Sequence, residues 1–404
     1  MKVLFVTGIF PRLTFIFRMI VAIAEQGHEV TVMARDPGDW KQFTEEFPLP
    51  SNLKVKYLIP DTRLFTPMRL SRFVVGFVTS IMRAPIASWR LLKLCQFQSS
   101  TAKEAFKLFI GHLPFLKLSA DVVQYEFFLV KMQYPLIDKI IDAPTIVSCR
   151  GSDVHMIGIL PEEQKRQRLD AILSASLVHC VSSELAQSVT RASGRTEGIW
   201  VNRAAVPIEQ IKPKQSYNTN EIPIIVTVGR LDWIKGYDYL LAAFHCIKAA
   251  GIPFRGQIIG DGDLQAQMRF SIGDLDLLSE VELMGRLIPN EVFGYLHKAD
   301  IFVLSSHEEG ISNAALEAMA VGLPIVTTAA GGMEEAVRDG LDGYVIPVRD
   351  IPALVEKLTT LLSDSQLRER MGRSARERVE TAFTLERQVK VFDQMYETIR
   401  LQRT

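Results

Sequence analysis

The chain has 404 residues and a formal net charge of zero, 46 Lys and Arg against 46 Asp and Glu. That length exceeds one hydrophobic core and predicts two domains of about 200 residues each, and the balanced charge gives nucleic acid no global attraction. A hydrophobic fraction of 48% with 23% charged residues is that of a soluble globular chain, and no run of about 18 uninterrupted apolar residues argues for a spanning helix.

In chain order, "MKVLFVTGIF" has the apolar run of a secretory signal but no small-residue cleavage site after it, so it reads as a buried strand. "FIFRMIVAIAEQG" reads as a helix closed by Gly27, and "HEVTVMA" as the next strand, which together make a βαβ unit. Further strands are expected at "LKVKYLI", "DVVQYE", "TIVSCR" and "LVHCVS". Between them, residues 61–120 carry nine cations (Arg63, Arg69, Arg72, Arg83, Arg90, Lys93, Lys103, Lys107, Lys117) against Asp61 and Glu104, a surplus of seven. Phe65, Phe73, Phe77, Trp89, Phe97, Phe106 and Phe115 are interleaved with them. Such helices suit either a solvated basic face or an anionic membrane surface.

The polar, Pro-bearing stretch 206–223 reads as an interdomain linker, after which the pattern restarts. Strands are expected at "IIVTVGR", "RGQIIG", "VELMGR", "ADIFVLSS", "PIVTT" and "GYVIP", with a helix from "YDYLLAAFHCIKAAG". The expectation is an α/β chain of two Rossmann-like, doubly wound parallel-sheet domains, residues 1–206 and 207–384, with a final helix 385–404 returning to the first. The loops "GRLDWIKG", "GDGD", "GRLIP", "SSHEEG" and "AAGGMEE" should then line one rim facing the first domain.

Two of these loops carry chemistry. "VGRLDWIKG" places Gly229 and Arg230 ahead of Lys235 and Gly236, so the backbone can approach a ligand while two cations reach a diphosphate. In "HEEGISNAALEAMAVGLP", Glu309 and Glu317 stand eight positions apart. On one helix they would differ by about 80° and roughly 12 Å, too far to share a reacting atom. If the helix instead starts near Ser312 or Asn313, Glu309 lies in the loop, Glu317 on the second turn, and an anion-binding helix end between them.

Together "GRLDWIKGYDYLLAAF", "IIGDGDL" and "ADIFVLSSHEEGISNAALEAMAVGLPIVTTAAGGMEEAVRDGLDGYVIP" resemble the retaining glycosyltransferases of family 4, whose fold is GT-B. The match extends over most of residues 224–349. The first half is similar more loosely, through "GHEVTV" and "FPRLTFI"; the latter looks like the FP-x-x-S-E-T-F-I pattern of bacterial exopolysaccharide transferases with its Ser-Glu pair missing. The resemblance implies a hexosyl-transferring enzyme that moves a sugar from a UDP- or GDP-type nucleotide sugar to a glycan or lipid-linked acceptor. It implies that Glu317 binds the donor ribose and Glu309 the transferred sugar, with Arg230 and Lys235 neutralising the leaving phosphate. Gly229, Gly236, Arg286, Gly310, Ile311 and Ser312 are expected to complete the donor site, and Gly8, Arg150, Asp153 and His307 to touch the cleft. Arg150 stands where many relatives have His. No metal and no other cofactor are expected.

"DGD" at Asp261–Asp263 mimics a metal-binding D-x-D but follows a strand as a Gly-rich turn. Cys95, Cys149, Cys180 and Cys246 form no C-x-x-C pair and read as reduced thiols of a cytoplasmic protein, peripheral on the membrane if residues 61–120 bind it. An NAD oxidoreductase is disfavoured because "VTGIFPRL" lacks G-x-G-x-x-G. Two rivals remain: a sugar-nucleotide epimerase or phosphorylase of the same fold, and a donor-binding scaffold subunit of a membrane glycan-assembly complex.

Overall fold

The computed structural model describes residues 1–10, 14–36, 49–58, 81–82, 84–217 and 220–402. Near-continuous Val, Ile and Leu runs mark strands buried on both faces, and they form two all-parallel sheets. The first sheet contains β1 (Lys2–Ile9), β2 (Glu29–Asp36), β3 (Leu53–Tyr57), β4 (Val122–Tyr125), β5 (Thr145–Cys149), β6 (Leu177–Cys180) and β7 (Ile199–Val201), ordered β3-β2-β1-β4-β5-β6-β7. Its helices among the described residues are α1 (Thr14–Glu25), α2 (Pro85–Gln98), α3 (Ala102–His112), α4 (Phe128–Gln133), α5 (Ile137–Ile141), α6 (Ser152–His155), α7 (Glu162–Leu173) and α8 (Ser183–Ser193).

The second sheet runs β10-β9-β8-β11-β12-β13, from β8 (Ile224–Val228), β9 (Arg255–Ile259), β10 (Val281–Gly285), β11 (Ile301–Leu304), β12 (Ile325–Thr328) and β13 (Gly343–Ile346). Its helices are α9 (Tyr237–Ala249), α10 (Gln265–Asp274), α11 (Pro289–Lys298), α12 (Asn313–Val321), α13 (Met333–Ala336), α14 (Ile351–Ser363) and α15 (Ser365–Ala382). The chain closes with α16 (Leu385–Leu401), capped by the Thr384 hydroxyl on the Arg387 amide. Apolar clusters lie on both faces of each sheet, as doubly wound folds require.

Two segments differ from the sequence reading. Strand β7 has three half-buried residues, too few to carry a period-2 signal. The linker stretch is anchored over residues 206–214: Val206, Ile208 and Ile211 are buried in the second domain's core, and the Lys214 amide donates to the Val321 carbonyl at 2.7 Å. Apolar residues dispersed among Pro and polar neighbours concealed that anchoring.

Helix α16 lies on the first domain. Val389, Phe392, Met395, Tyr396 and Ile399 share a cluster with Ile16, Phe17 and Ile20 of α1, and the Tyr396 hydroxyl donates to Gln124 Oε1 at 2.7 Å. Where the chain crosses back, the Val206 amide donates to the Phe383 carbonyl at 3.0 Å. No helix among the described residues is long and apolar enough to cross a membrane.

Candidate active site at the domain interface

Strand order reverses between β8 and β11 in the second sheet and between β1 and β4 in the first. Ligands of such sheets bind beyond the strand carboxyl ends at these switch points. The loop after β8 holds Gly229 to Gly236, and the loop after β11 holds Ser305 to Ser312. They nest closely. A 3-10 turn at Trp233–Lys235 ends in Gly236 at φ +60°, and a Cβ there would strike the Ser305 carbonyl, so Gly alone fits. Ser305 Oγ donates to the Lys235 carbonyl at 3.0 Å, and the His307 amide to the Ile234 carbonyl at 2.7 Å.

That nesting brings Lys235 Nζ onto Glu309 Oε1 as an ion pair, with Ser306 Oγ donating to the same oxygen at 2.8 Å. Glu309 lies in the loop, and α12 begins at Asn313 with Ser312 as its N-cap, its Oγ accepting from the Ala315 amide. Glu317 sits on the second turn. The helix start is thus where the residue types put it.

Other expected site groups are engaged differently. The Arg230 guanidinium, 70% exposed, turns to Asp232 Oδ2 at 2.5 Å. The Ser312 amide is taken by Met333 Sδ at 3.4 Å, Gly310 is buried against Arg150 and Val181 of the first domain, and Ile311 is buried in the second domain's core. Glu317 Oε1 accepts from Arg18 Nη1 of α1 at 3.2 Å; burial pushes its carboxyl up from the usual range, and Arg18 opposes that shift. Arg286 lies exposed in the loop after β10. The His307 ring packs by Trp233 and Tyr239, and burial lowers its pKa.

On the first domain, Gly8 ends β1 half-buried with open space beside its Cα. Arg150 is not free for the cleft: its guanidinium pairs with buried Glu126 and lies over the Phe15 ring, 5.2 Å from its centroid. A lone buried carboxylate needs such a partner. Asp153 falls in α6, and its side chain lies outside the described residues. The "DGD" segment forms a turn against the Arg230 loop, the Leu231 amide donating to the Asp261 carbonyl at 2.8 Å.

Several interface groups escaped the sequence reading. Glu335 of α13 accepts from the Ser183 and Glu184 amides at 2.6 and 3.1 Å, at the α8 N-terminus, and from Arg203 Nη2 at 2.7 Å. His155 stands 3.1 Å from Glu184 and 3.6 Å from Glu308. An interface cavity of about 550 Å³ opens there, lined by His155, Glu184, Ser188, Arg191, Gly331 and Glu334. The legible signal for Arg18 was one cation inside the apolar run "TFIFRMIVAIAE"; Glu335 ends the "AAGGMEE" loop expected on the rim, but nothing local marked it as the acid that crosses to α8.

On residues 61–120, Arg90, Lys93, Lys103, Lys107 and Lys117 are exposed, and so are Ile86, Trp89, Phe97 and Phe106. Phe115 is not an anchor: it is fully buried against His112 and Tyr134. Arg63, Arg69, Arg72, Arg83, Phe65, Phe73 and Phe77 lie outside the described residues.

Comparison with known proteins follows the same division. Residues 208–378 match the family model described as "Glycosyl transferases group 1". The amylovoran biosynthesis glycosyltransferase AmsK of Erwinia amylovora is 28% identical over 397 residues, 95% of this chain and 96% of that protein. Among solved structures, sucrose-phosphate synthase from Thermosynechococcus elongatus superposes with a TM-score of 0.76 at 18% identity, covering 99% of both chains. Anabaena HepE in complex with UDP-glucose gives 0.72 at 18% identity, again over 99% of both. The chain has the two-domain GT-B fold, and its second domain, over residues 208–378, matches the glycosyl transferases group 1 family.

Proposed function

We propose that this protein is a retaining glycosyltransferase of family 4 type, moving a sugar from a UDP- or GDP-type nucleotide sugar held by the second domain to a glycan or lipid-linked acceptor held by the first. The observation that carries this reading is the Lys235–Glu309 ion pair beside the α12 N-terminus. A diphosphate arriving there would take Lys235 as counter-ion and release Glu309 to accept from hydroxyls of the transferred sugar. Arg230, exposed on the same loop, swings from Asp232 to the phosphate. The acceptor hydroxyl attacks the anomeric carbon as its bond to the phosphate oxygen breaks, the departing oxygen takes the acceptor proton, and the nucleoside diphosphate leaves. Lys235, Arg230 and the helix end supply the positive charge, so no metal is required.

A role in polysaccharide biosynthesis is supported by the name of the relative AmsK, and nucleotide-sugar binding by the UDP-glucose complex of HepE. The interface cavity mixes donors and acceptors as a polyhydroxylated acceptor needs. The exposed cations and aromatics of α2 and α3 support a peripheral site of action on the cytoplasmic face of a membrane.

The test is a panel of UDP- and GDP-sugars. One of them should raise the thermal unfolding temperature of the purified protein. That donor should then release nucleoside diphosphate when membrane glycolipid extract is added, undiminished by EDTA. Failure of every panel member to stabilise the protein sinks the reading. Epimerised donor without diphosphate release would instead favour the epimerase, and recovery by Mn²⁺ after loss on chelation would overturn metal independence.

A further inference from the structure

We infer that Arg18 of the first domain is a positioning residue for the donor: its ion pair sets the Glu317 carboxylate for the nucleotide's ribose and makes that engagement depend on closure of the two domains. This rests on the functional reading above, in which Glu317 receives the ribose.

Helix α1 is apolar almost throughout, with Ile16, Phe17, Met19, Ile20 and Ile23 buried. Arg18 interrupts it with a side chain only 10% exposed, facing a carboxylate 299 positions away that is itself 19% exposed. Taking a guanidinium out of water is costly unless an anion meets it. Here an anion from the other domain does. Arg18 Nη1 holds Oε1 at 3.2 Å, and no described residue donates to Oε2, which stays available to a ribose hydroxyl. A held carboxylate loses less freedom on binding than a loose one, so the ligand's affinity rises. When the domains part the pair breaks, and Glu317 loses the charge that keeps it oriented. Nucleotide capture and domain closure therefore share one contact.

The experiment is a double-mutant cycle read by calorimetry with UDP and with GDP as probes. Arg18→Gln should weaken binding of whichever nucleotide the wild type takes by about tenfold, the scale of a charged hydrogen bond. Arg18→Lys should restore most of that loss. In steady state the donor KM should rise with kcat changing less. In a Glu317→Gln background Arg18→Gln should cost nothing further, because it acts through that carboxylate. Arg18→Met, which suits an apolar helix, serves as the second truncation should Arg18→Gln not fold. Unchanged affinity, or losses that add across the cycle, overturn this inference while the functional reading stands. A wild type that binds neither nucleotide overturns both.

Discussion

Removing the Lys235 ammonium has two effects at once. In the proposed mechanism it takes a cation from the leaving phosphate, and it strands Glu309 in a mostly buried loop. Lys235→Ala should therefore lower turnover by about two to three orders of magnitude and cost about 1–3 kcal/mol of stability. Arg230→Ala should match the first loss without the second, since its guanidinium is largely in water. Steady-state kinetics beside urea unfolding will check this, and near-wild-type turnover in either variant would refute the assignment. Glu309→Gln should mainly reduce kcat, and Glu317→Gln mainly raise the donor KM, because ribose contacts differ little between ground and transition states. His179 makes a separate prediction. Its Nε2–H donates to the Asn202 carbonyl at 2.9 Å while Nδ1 accepts from Ser148 Oγ at 3.0 Å. Burial, with Arg150 adding to it, pushes its pKa down to about 3. An unfolded His titrates near ~6.5, so between those values the unfolded chain binds more protons. Stability from this neutral ring is complete above about pH 6.5 and declines toward pH 3. Wild type should lose about 2–3 kcal/mol more than His179→Gln between pH 7 and 4.5; equal losses would show that the ring does not set this slope.

At the level of elements, α2 and α3 present Arg90, Lys93, Lys103 and Lys107 beside Trp89, Phe106 and the 91% exposed Phe97. At about 1 kcal/mol per cation, three or four engaged residues give roughly 10² to 10³-fold preference for anionic over neutral lipid, weakening with salt. Co-sedimentation with phosphatidylglycerol and phosphatidylcholine vesicles should show that preference, and Arg90→Glu with Lys93→Glu and Lys107→Glu should abolish it. Equal partitioning to both lipids would leave a solvated basic face. The elements also show what sequence can carry. The start of α12 was legible because Ser312 caps and Gly310 breaks, both local chemistry. That the Lys235 and Glu309 loops share one rim was legible from the parallel strand pattern, whereas their nesting depends on the strand order, which the sequence did not show. Phe115 misled, because an aromatic in a basic stretch looks the same whether it faces out or, as here, packs into the first domain's core beside His112 and Tyr134. The partners of Arg18 and Glu335, and Glu308 beside His155, could not be assigned from sequence for a different reason: they come from the facing domain, and no local period encodes a rigid-body approach.

At the level of the whole molecule, the two domains meet through backbone as much as through charge. A Cβ on Gly310 would run into the Arg150 carbonyl and the Val181 side chain. Gly310→Ala should leave both domains folded but hold them apart. Small-angle scattering should show a larger radius of gyration, and donor turnover should fall; unchanged scattering with normal turnover would mean that this contact does not govern the approach.

The crossing of the chain has a mechanical consequence. The polypeptide passes between the domains at Val206 and again at Phe383 to Thr384, and the two passages are bonded side by side in parallel. A single tether would let the domains swivel in any direction. A paired strap bends readily across its width and resists torsion. The halves should therefore part and rejoin like a book on its spine, so that each closing returns Glu335 to the same pair of amides and Arg18 to the same carboxylate.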